Sequence, residues 1–181
     1  MRFFLDACVL YPTVMREVLL GAAKQGFFAP QWSARVLEEW RRAALRRGPD
    51  VGVQAEGEIA LLQAAWPKAE VAAQPGLEAR LWLPDPADVH VLAGAIAGSA
   101  DGIVTNNAKD FPRNILAEEG LSRVDPDALL LGFFAADPER MARAAETVRR
   151  EAERLSGEAW EIRKLMKKAR LPRLGKALAA A

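Results

Sequence analysis

The chain has 181 residues, 51% of them apolar, and a net charge of +1, enough for one domain with a full core and a helical appendage. No run of about eighteen apolar residues occurs, which excludes a membrane-spanning helix, and no basic leader with a cleavage site opens the chain, so the expectation is a cytoplasmic protein. One cysteine (Cys8) and one histidine (His90) exclude an internal disulfide and a cysteine zinc cage, and leave zinc a poor candidate.

The elements read as strands alternating with helices. Phe3-Phe4-Leu5 is a short buried strand ended by Asp6. Residues from about Pro12 to Lys24 have helical spacing (Val14, Val18, Leu19, Ala22) and stop at Gly26. Phe27-Phe28-Ala29 reads as a second strand closed by Pro30. Ser33 is placed to cap a helix through about Arg46; Gly48-Pro49 breaks it, and another helix covers about Val53 to Ala65. Glu70-Val71-Ala72 is a weak strand candidate. Asp85-Pro86 opens a helix through about Ala97, Ile103-Val104-Thr105 is a strand, and Leu121 to Val124 another. Asp125-Pro126 starts a short helix, Asp137-Pro138 a longer one, and Trp160 to Lys168 is helical again. Such alternation indicates an α/β fold with a parallel sheet covered on both faces.

Charge is unevenly placed. Up to Asp137, 13 Lys/Arg face 18 Asp/Glu (−5), and from Glu139 onward 12 face 6 (+6). An acidic body with a basic tail suits a cation site beside a surface for a polyanion or a protein partner; a solvated helix pair is the plainer reading of the same tail.

Several acids have ordinary work. Asp85, Asp125 and Asp137 each precede proline and fit helix caps, although Asp85 also lies near the candidate site. Asp6 ends an apolar strand, and open parallel sheets bind ligands beyond the carboxyl ends of their strands; capping a turn is its alternative. Helical phase places Val36, Leu37, Trp40, Ala43 and Ala44 on one stripe, with Glu38 almost opposite and solvated, and Glu39 on the flank. Asp88 has a similar place beside Val89, Leu92, Ala93 and Ile96, where a favourable helix N-terminus is the structural alternative. Asn107 and Asp110 follow the strand ending at Thr105, and Asp110 could instead cap the turn before Pro112. His90 falls on the other flank from Asp88 and reads as a surface or packing residue.

Carboxylates gathered at one sheet edge resist joint ionisation unless a cation neutralises them. Mg²⁺ and Mn²⁺ prefer oxygen ligands and are often held by a few carboxylates plus phosphate, so phosphodiester hydrolysis follows. No Gly-rich phosphate loop appears. An aspartyl phosphatase would want a second aspartate two positions after Asp6, where Cys8 stands.

Four segments carry a resemblance: Asp6-Ala7-Cys8-Val9-Leu10-Tyr11-Pro12, Trp32-Ser33 with Val36 to Arg42, Leu83 to Ala93 around Asp88, and Ile103 to Pro112. In order and spacing they resemble the PIN-domain family, and most closely its bacterial members with a Leu-Tyr-Pro element after the first aspartate. The resemblance implies a three-layer α/β/α fold over residues 1–136, here with a basic helical extension over 137–181. It implies an endoribonuclease using Mg²⁺ or Mn²⁺, frequently the toxin of a toxin–antitoxin pair. Asp6, Glu39 and Asp88 match the family's three principal acids, and Asn107 stands at the fourth acidic position, with Asp110 three residues on.

The expected catalytic set is thus Asp6, Glu39, Asp88, Asn107 and Asp110, and the expected metal ligands are Asp6, Glu39, Asp88 and Asp110. Expected partners are RNA, held by Arg41, Arg42 and the tail, an antitoxin protein and a second copy of the chain, with no membrane. The competing expectation is a weakened PIN-fold module that acts by binding RNA or protein.

Overall fold

Phe3, Phe4 and Leu5 build the first strand, β1 (Arg2–Leu5), and all three are buried. A strand apolar on both faces belongs inside a parallel sheet. The computed structural model describes residues 1–181, and in it β1 is central. With β2 (Ala29–Gln31), β3 (Gly102–Val104) and β4 (Ser122–Val124) it forms a sheet in the order β2-β1-β3-β4. β1 runs parallel to both neighbours, with Phe4 opposite Ile103 and Leu5 opposite Val104. The α/β class and the parallel sheet stand as read. In this order the chain leaves β1 towards one edge and later returns to its other side, so the β1/β3 carboxyl ends form the switch point where open sheets bind ligands.

The chain forms two compact units. One comprises residues 1–11 and 29–123, the other residues 12–28 and 124–181. The division at 136/137 followed motif coverage and charge along the chain, whereas the compact units divide it elsewhere.

The first unit holds the sheet, the one-turn helix α1 (Ala7–Leu10), α3 (Ala34–Leu45), α4 (Pro49–Ala65), α5 (Pro75–Glu78), α6 (Val89–Ala97) and α7 (Arg113–Glu118). The Ser33 hydroxyl caps α3 by accepting from Val36 N at 3.3 Å, and Val36, Leu37, Trp40 and Ala44 are its buried face, as the spacing predicts. A 3₁₀ turn at Pro86–Asp88 leads into α6. Helix α6 lies close on β1 because residue 94 is glycine: a Cβ there would sit 2.6 Å from the Phe4 ring. That close approach ties the helix after Asp88 to the strand that ends at Asp6.

The second unit is helical: α2 (Thr13–Lys24), α8 (Pro126–Ala136), α9 (Pro138–Ser156), α10 (Ile162–Lys168) and α11 (Pro172–Leu178). Helix α9 packs on α2 at Gly21, where an added Cβ would just touch Ala144 Cβ at 3.4 Å. Phe27 and Phe28 stack on Phe133 with ring centroids 4.9 and 5.7 Å apart. Arg140 covers the Phe27 ring at 4.7 Å and donates to Gln25 O. The Asp127 carboxylate on α8 accepts from Arg173 N and Leu174 N, both at 2.9 Å, and so caps α11 from another helix.

Some expectations need correction. The second strand starts at Ala29, not Phe27, and includes Pro30; proline is tolerated because β2 is an edge strand, while the two phenylalanines turn to Phe133. Residues 70–72 form no strand; Glu70 makes only an isolated bridge to Trp32. Gly48-Pro49 starts α4 four residues before the expected helix, with Pro49 at its first position. Helices α1, α5, α7 and α11 are not read from the sequence because each is too short for its periodicity to stand out.

Candidate metal centre

The register that sets Leu5 beside Val104 brings the next residues, Asp6 and Thr105, together beyond the strand ends. The buried Thr105 hydroxyl donates to Asp6 Oδ2 at 2.7 Å, and the Cys8 thiol donates to the same oxygen at 3.0 Å. Asp6 precedes α1 but makes no side-chain capping bond. Its carboxylate faces the strand ends rather than the turn. Burial first, and the Asp6 charge next, push the Cys8 thiol up to about 12, so Cys8 is a donor to Asp6 and no nucleophile.

Asp88, at the start of α6, also makes no capping bond. Its carboxylate gathers with those of Asp85 and Asp110, the three ligand atoms lying within 4.8 Å of one another. Burial raises the Asp88 carboxyl to about 6, followed by the charges of Asp6, Asp85, Asp110 and Glu39 in that order. Asp6 and Glu39 lie outside the three-oxygen group, yet both act on Asp88 at a distance. Of the four expected ligands, the cluster therefore contains Asp88 and Asp110. Asp85 joins them. It caps, as read, by accepting from Ala87 N at 2.9 Å through Oδ1, and it belongs to the cluster as well.

Asn107 and Asp110 follow β3 on a loop pinned from two sides. The Asn107 amide N–H donates to Thr105 Oγ1 at 2.9 Å, and Arg123 Nη1 donates to Ala108 O and Phe111 O at 2.5 and 3.1 Å. The Asn107 side-chain amide donates to Asp110 Oδ2, so the residue at the fourth acidic position orients the carboxylate three residues on. Asp125 and Asp137 cap α8 and α9, accepting from Ala128 N and Arg140 N at 2.8 and 3.0 Å.

Glu39, on α3, is 34% exposed, and its Oε1 lies 2.8 Å from His90 Nε2. The sequence reading of His90 as a surface or packing residue changes here: the imidazole is buried and bonded to a candidate site residue. No sequence pattern links positions 51 apart on two different helices. Glu38 is not simply solvated. It accepts from Arg41 and Arg42, both at 2.7 Å, and these bonds lower its carboxyl to about 2. The two arginines expected on RNA phosphates are thus already engaged.

The donor set is all oxygen and has no soft ligand, which fits a hard divalent cation. A cation beside Asp88 would also offset the burial and the like-charge repulsion that together keep this carboxyl protonated to higher pH. A family model for the PIN domain matches residues 2–109, which spans Asp6, Glu39, Asp88 and Asn107 and ends one residue before Asp110. The chain belongs to the PIN-domain family. PIN domains have a nuclease-type fold, typically use divalent metals and imply RNA as the partner class. Among curated proteins and among solved structures, none matches the chain significantly. No helix of this PIN-domain chain is long and apolar enough to cross a membrane.

Proposed function

We propose that the protein is an Mg²⁺- or Mn²⁺-dependent endoribonuclease that hydrolyses RNA phosphodiester bonds. The observation that carries this reading is the group of Asp85, Asp88 and Asp110 carboxylates, with the charges of Asp6 and Glu39 also acting on Asp88. Asp6, Asp88 and Asp110 would hold the ion, aided by Asp85, and Glu39 would orient the attacking water or complete the coordination. Bound there, the ion supplies charge neutralisation at the phosphate oxygens and a more acidic water. Thr105 holds Asp6 in place by its hydroxyl, and Asn107 does the same for Asp110 by its amide.

The segment 137–181 acts as a basic helical extension to the 1–136 nuclease segment. Arg163, Lys167, Arg170 and Lys176 are exposed and have no carboxylate partner, which suits contacts to RNA phosphates. A toxin role, an antitoxin partner, a homodimer and a cytoplasmic setting belong to the same proposal. Growth arrest on expression, relieved by the product of a small neighbouring open reading frame, is the test of the toxin role.

The test of the enzyme is Mn²⁺-dependent cleavage of single-stranded RNA, lost in Asp6→Asn and in Asp88→Asn. Cleavage that survives either change sinks the reading. Asn107 in place of an acid favours one competitor, a weakened PIN-fold module. Failure to bind Mn²⁺ at millimolar concentration, alongside intact RNA binding, would support that competitor.

A further inference from the structure

His90 is the one histidine of the chain, 4% exposed, and it lies outside the carboxylate set that would hold an ion. It lies in the first turn of α6, two residues after Asp88, on a helix that Gly94 seats closely against Phe4 of β1. Its backbone is therefore held by the same packing that places the strand end at Asp6. Glu39 comes from α3, and its side chain is one-third exposed. Left to itself, such a side chain samples many rotamers, and fixing it costs side-chain entropy that a partner must offset.

The contacts of Glu39 fall on one oxygen. His90 Nε2 lies 2.8 Å from Oε1, and Arg35 Nε lies 3.9 Å from the same atom. Oε2 has no hydrogen-bond or ion-pair partner. An ionised carboxylate has no proton to give, so His90 must donate through Nε2–H. In the neutral ring this leaves Nδ1 as the lone-pair nitrogen. Nδ1 is buried and has no protein partner. His90 also forms part of the wall of a cavity of about 120 Å³, shared with Ser33, Arg35, Gln74 and Glu78, which is roomy enough for water to meet a buried acceptor.

We propose that His90 is a positioning residue for Glu39: its Nε2–H fixes Oε1, holds the carboxylate in one rotamer relative to Asp88, and leaves Oε2 for the site. This inference rests on the nuclease reading for its effect on rate, but not for the bond itself. Second partners of this kind typically change affinity or activity by roughly 10- to 100-fold when removed, because a misplaced group loses the advantage of a pre-set geometry.

The amide of glutamine can stand where Nε2 stands, whereas the shorter asparagine reaches only the Nδ1 position. Expected, then, is that His90→Gln cleaves RNA within a few-fold of wild type. His90→Asn and His90→Leu should lose roughly 10- to 100-fold in kcat with KM for RNA unchanged. In a Glu39→Ala background, His90→Leu should cost nothing more. Equal losses in the Gln and Leu variants, or a full loss on top of Glu39→Ala, would overturn the proposal in favour of simple packing. A second readout needs neither metal nor activity. Nitrogen NMR of the imidazole in the metal-free protein should show the Nε2–H tautomer, and Glu39→Ala should abolish the preference. An Nδ1–H tautomer in the wild-type protein would overturn the proposal even where cleavage is robust. If the wild-type chain cleaves no RNA, the nuclease reading fails and the tautomer measurement alone decides for or against His90.

Discussion

The Thr105 hydroxyl donates to Asp6 Oδ2 at 2.7 Å and so joins the carboxyl ends of two parallel strands that lie 99 residues apart in sequence. The same oxygen of Thr105 accepts the Asn107 N–H at 2.9 Å. One buried hydroxyl therefore fixes both a candidate ligand and the loop carrying another. Thr105→Val keeps the shape and removes the hydroxyl. It should cost about 1–3 kcal/mol of stability, since it leaves the buried Asp6 carboxylate and the part-buried Asn107 N–H short of a bond. Thermal melts and a Mn²⁺ titration check this, and affinity should fall together with stability. An unchanged Mn²⁺ affinity would dissociate Asp6 from ion binding.

Asp88 gives the metal-free protein a defined pH signature. Its carboxyl is raised from 3.8 to about 6, so the folded chain holds this proton more tightly than the unfolded chain. Folding then takes up a proton across that window. The contribution of Asp88 to stability is largest at low pH and is lost as pH rises from about 4 to about 6. The difference in melting temperature between wild type and Asp88→Asn should follow this direction, and saturating Mn²⁺ should reverse it. Mn²⁺ affinity itself should weaken below about pH 6, by roughly tenfold per unit for one displaced proton.

Asn107 and Asp110 make a testable pair. Asp110→Asn removes a cluster oxygen charge and should weaken Mn²⁺ binding by at least about tenfold, in line with losing one charged ligand. Asn107→Asp adds a carboxylate where an amide now donates to Asp110. The metal-free protein should lose about 1 kcal/mol or more through like-charge contact, and Mn²⁺ should bind more tightly than to wild type. Calorimetric titration with a paired melt separates the two effects; weaker binding by the Asn107→Asp variant would remove Asn107 from the site's edge.

The Cys8 thiol, pushed up to about 12 chiefly by burial and next by the Asp6 charge, should hardly react at neutral pH. Iodoacetamide should label it at least about a hundredfold more slowly in the folded protein than in urea, because only the thiolate attacks. Asp6→Asn should recover only the smaller, electrostatic part of that difference. Mass spectrometry over time reads both rates.

Asp127 is a carboxylate only 6% exposed at its side chain, and its two oxygens carry the α11 N-terminus. Asp127→Ala should destabilise the helical unit by about 3–5 kcal/mol, as expected when a buried charge pair loses one partner. Asp127→Asn should cost less. Circular dichroism melts in urea distinguish them, and equal melts would mean that α11 is capped by other means.

What the sequence made legible was local or one element long. Asp6 and Asp88 stood out because each follows or opens an apolar element, and the caps at Asp85, Asp125 and Asp137 followed from the proline after each. Helical phase separated Glu39 from Glu38, and the family resemblance pointed to the same residue. The pairing of Glu39 with His90 was not legible, because helical phase fixes a residue's angle on its own helix and says nothing about which helix it meets. Asp85 reads in the sequence chiefly as a cap, but a cap needs only one of its oxygens. The Thr105 bond to Asp6 was half legible: both strand ends were read, and only the register fixes them as neighbours.

The packing of Gly21 against Ala144, and of Arg140 on Gln25 and Phe27, has a consequence for how the chain is made. Gln25 and Arg140 are 115 residues apart. On a ribosome adding about 5–20 residues per second, helix α2 emerges on the order of ten seconds before the helix that covers it. During that interval its apolar face is open to chaperones and to other chains. Helix α9 is thus a late-arriving wall of the helical unit, and a chain stopped at residue 136 should aggregate on expression rather than stay in solution.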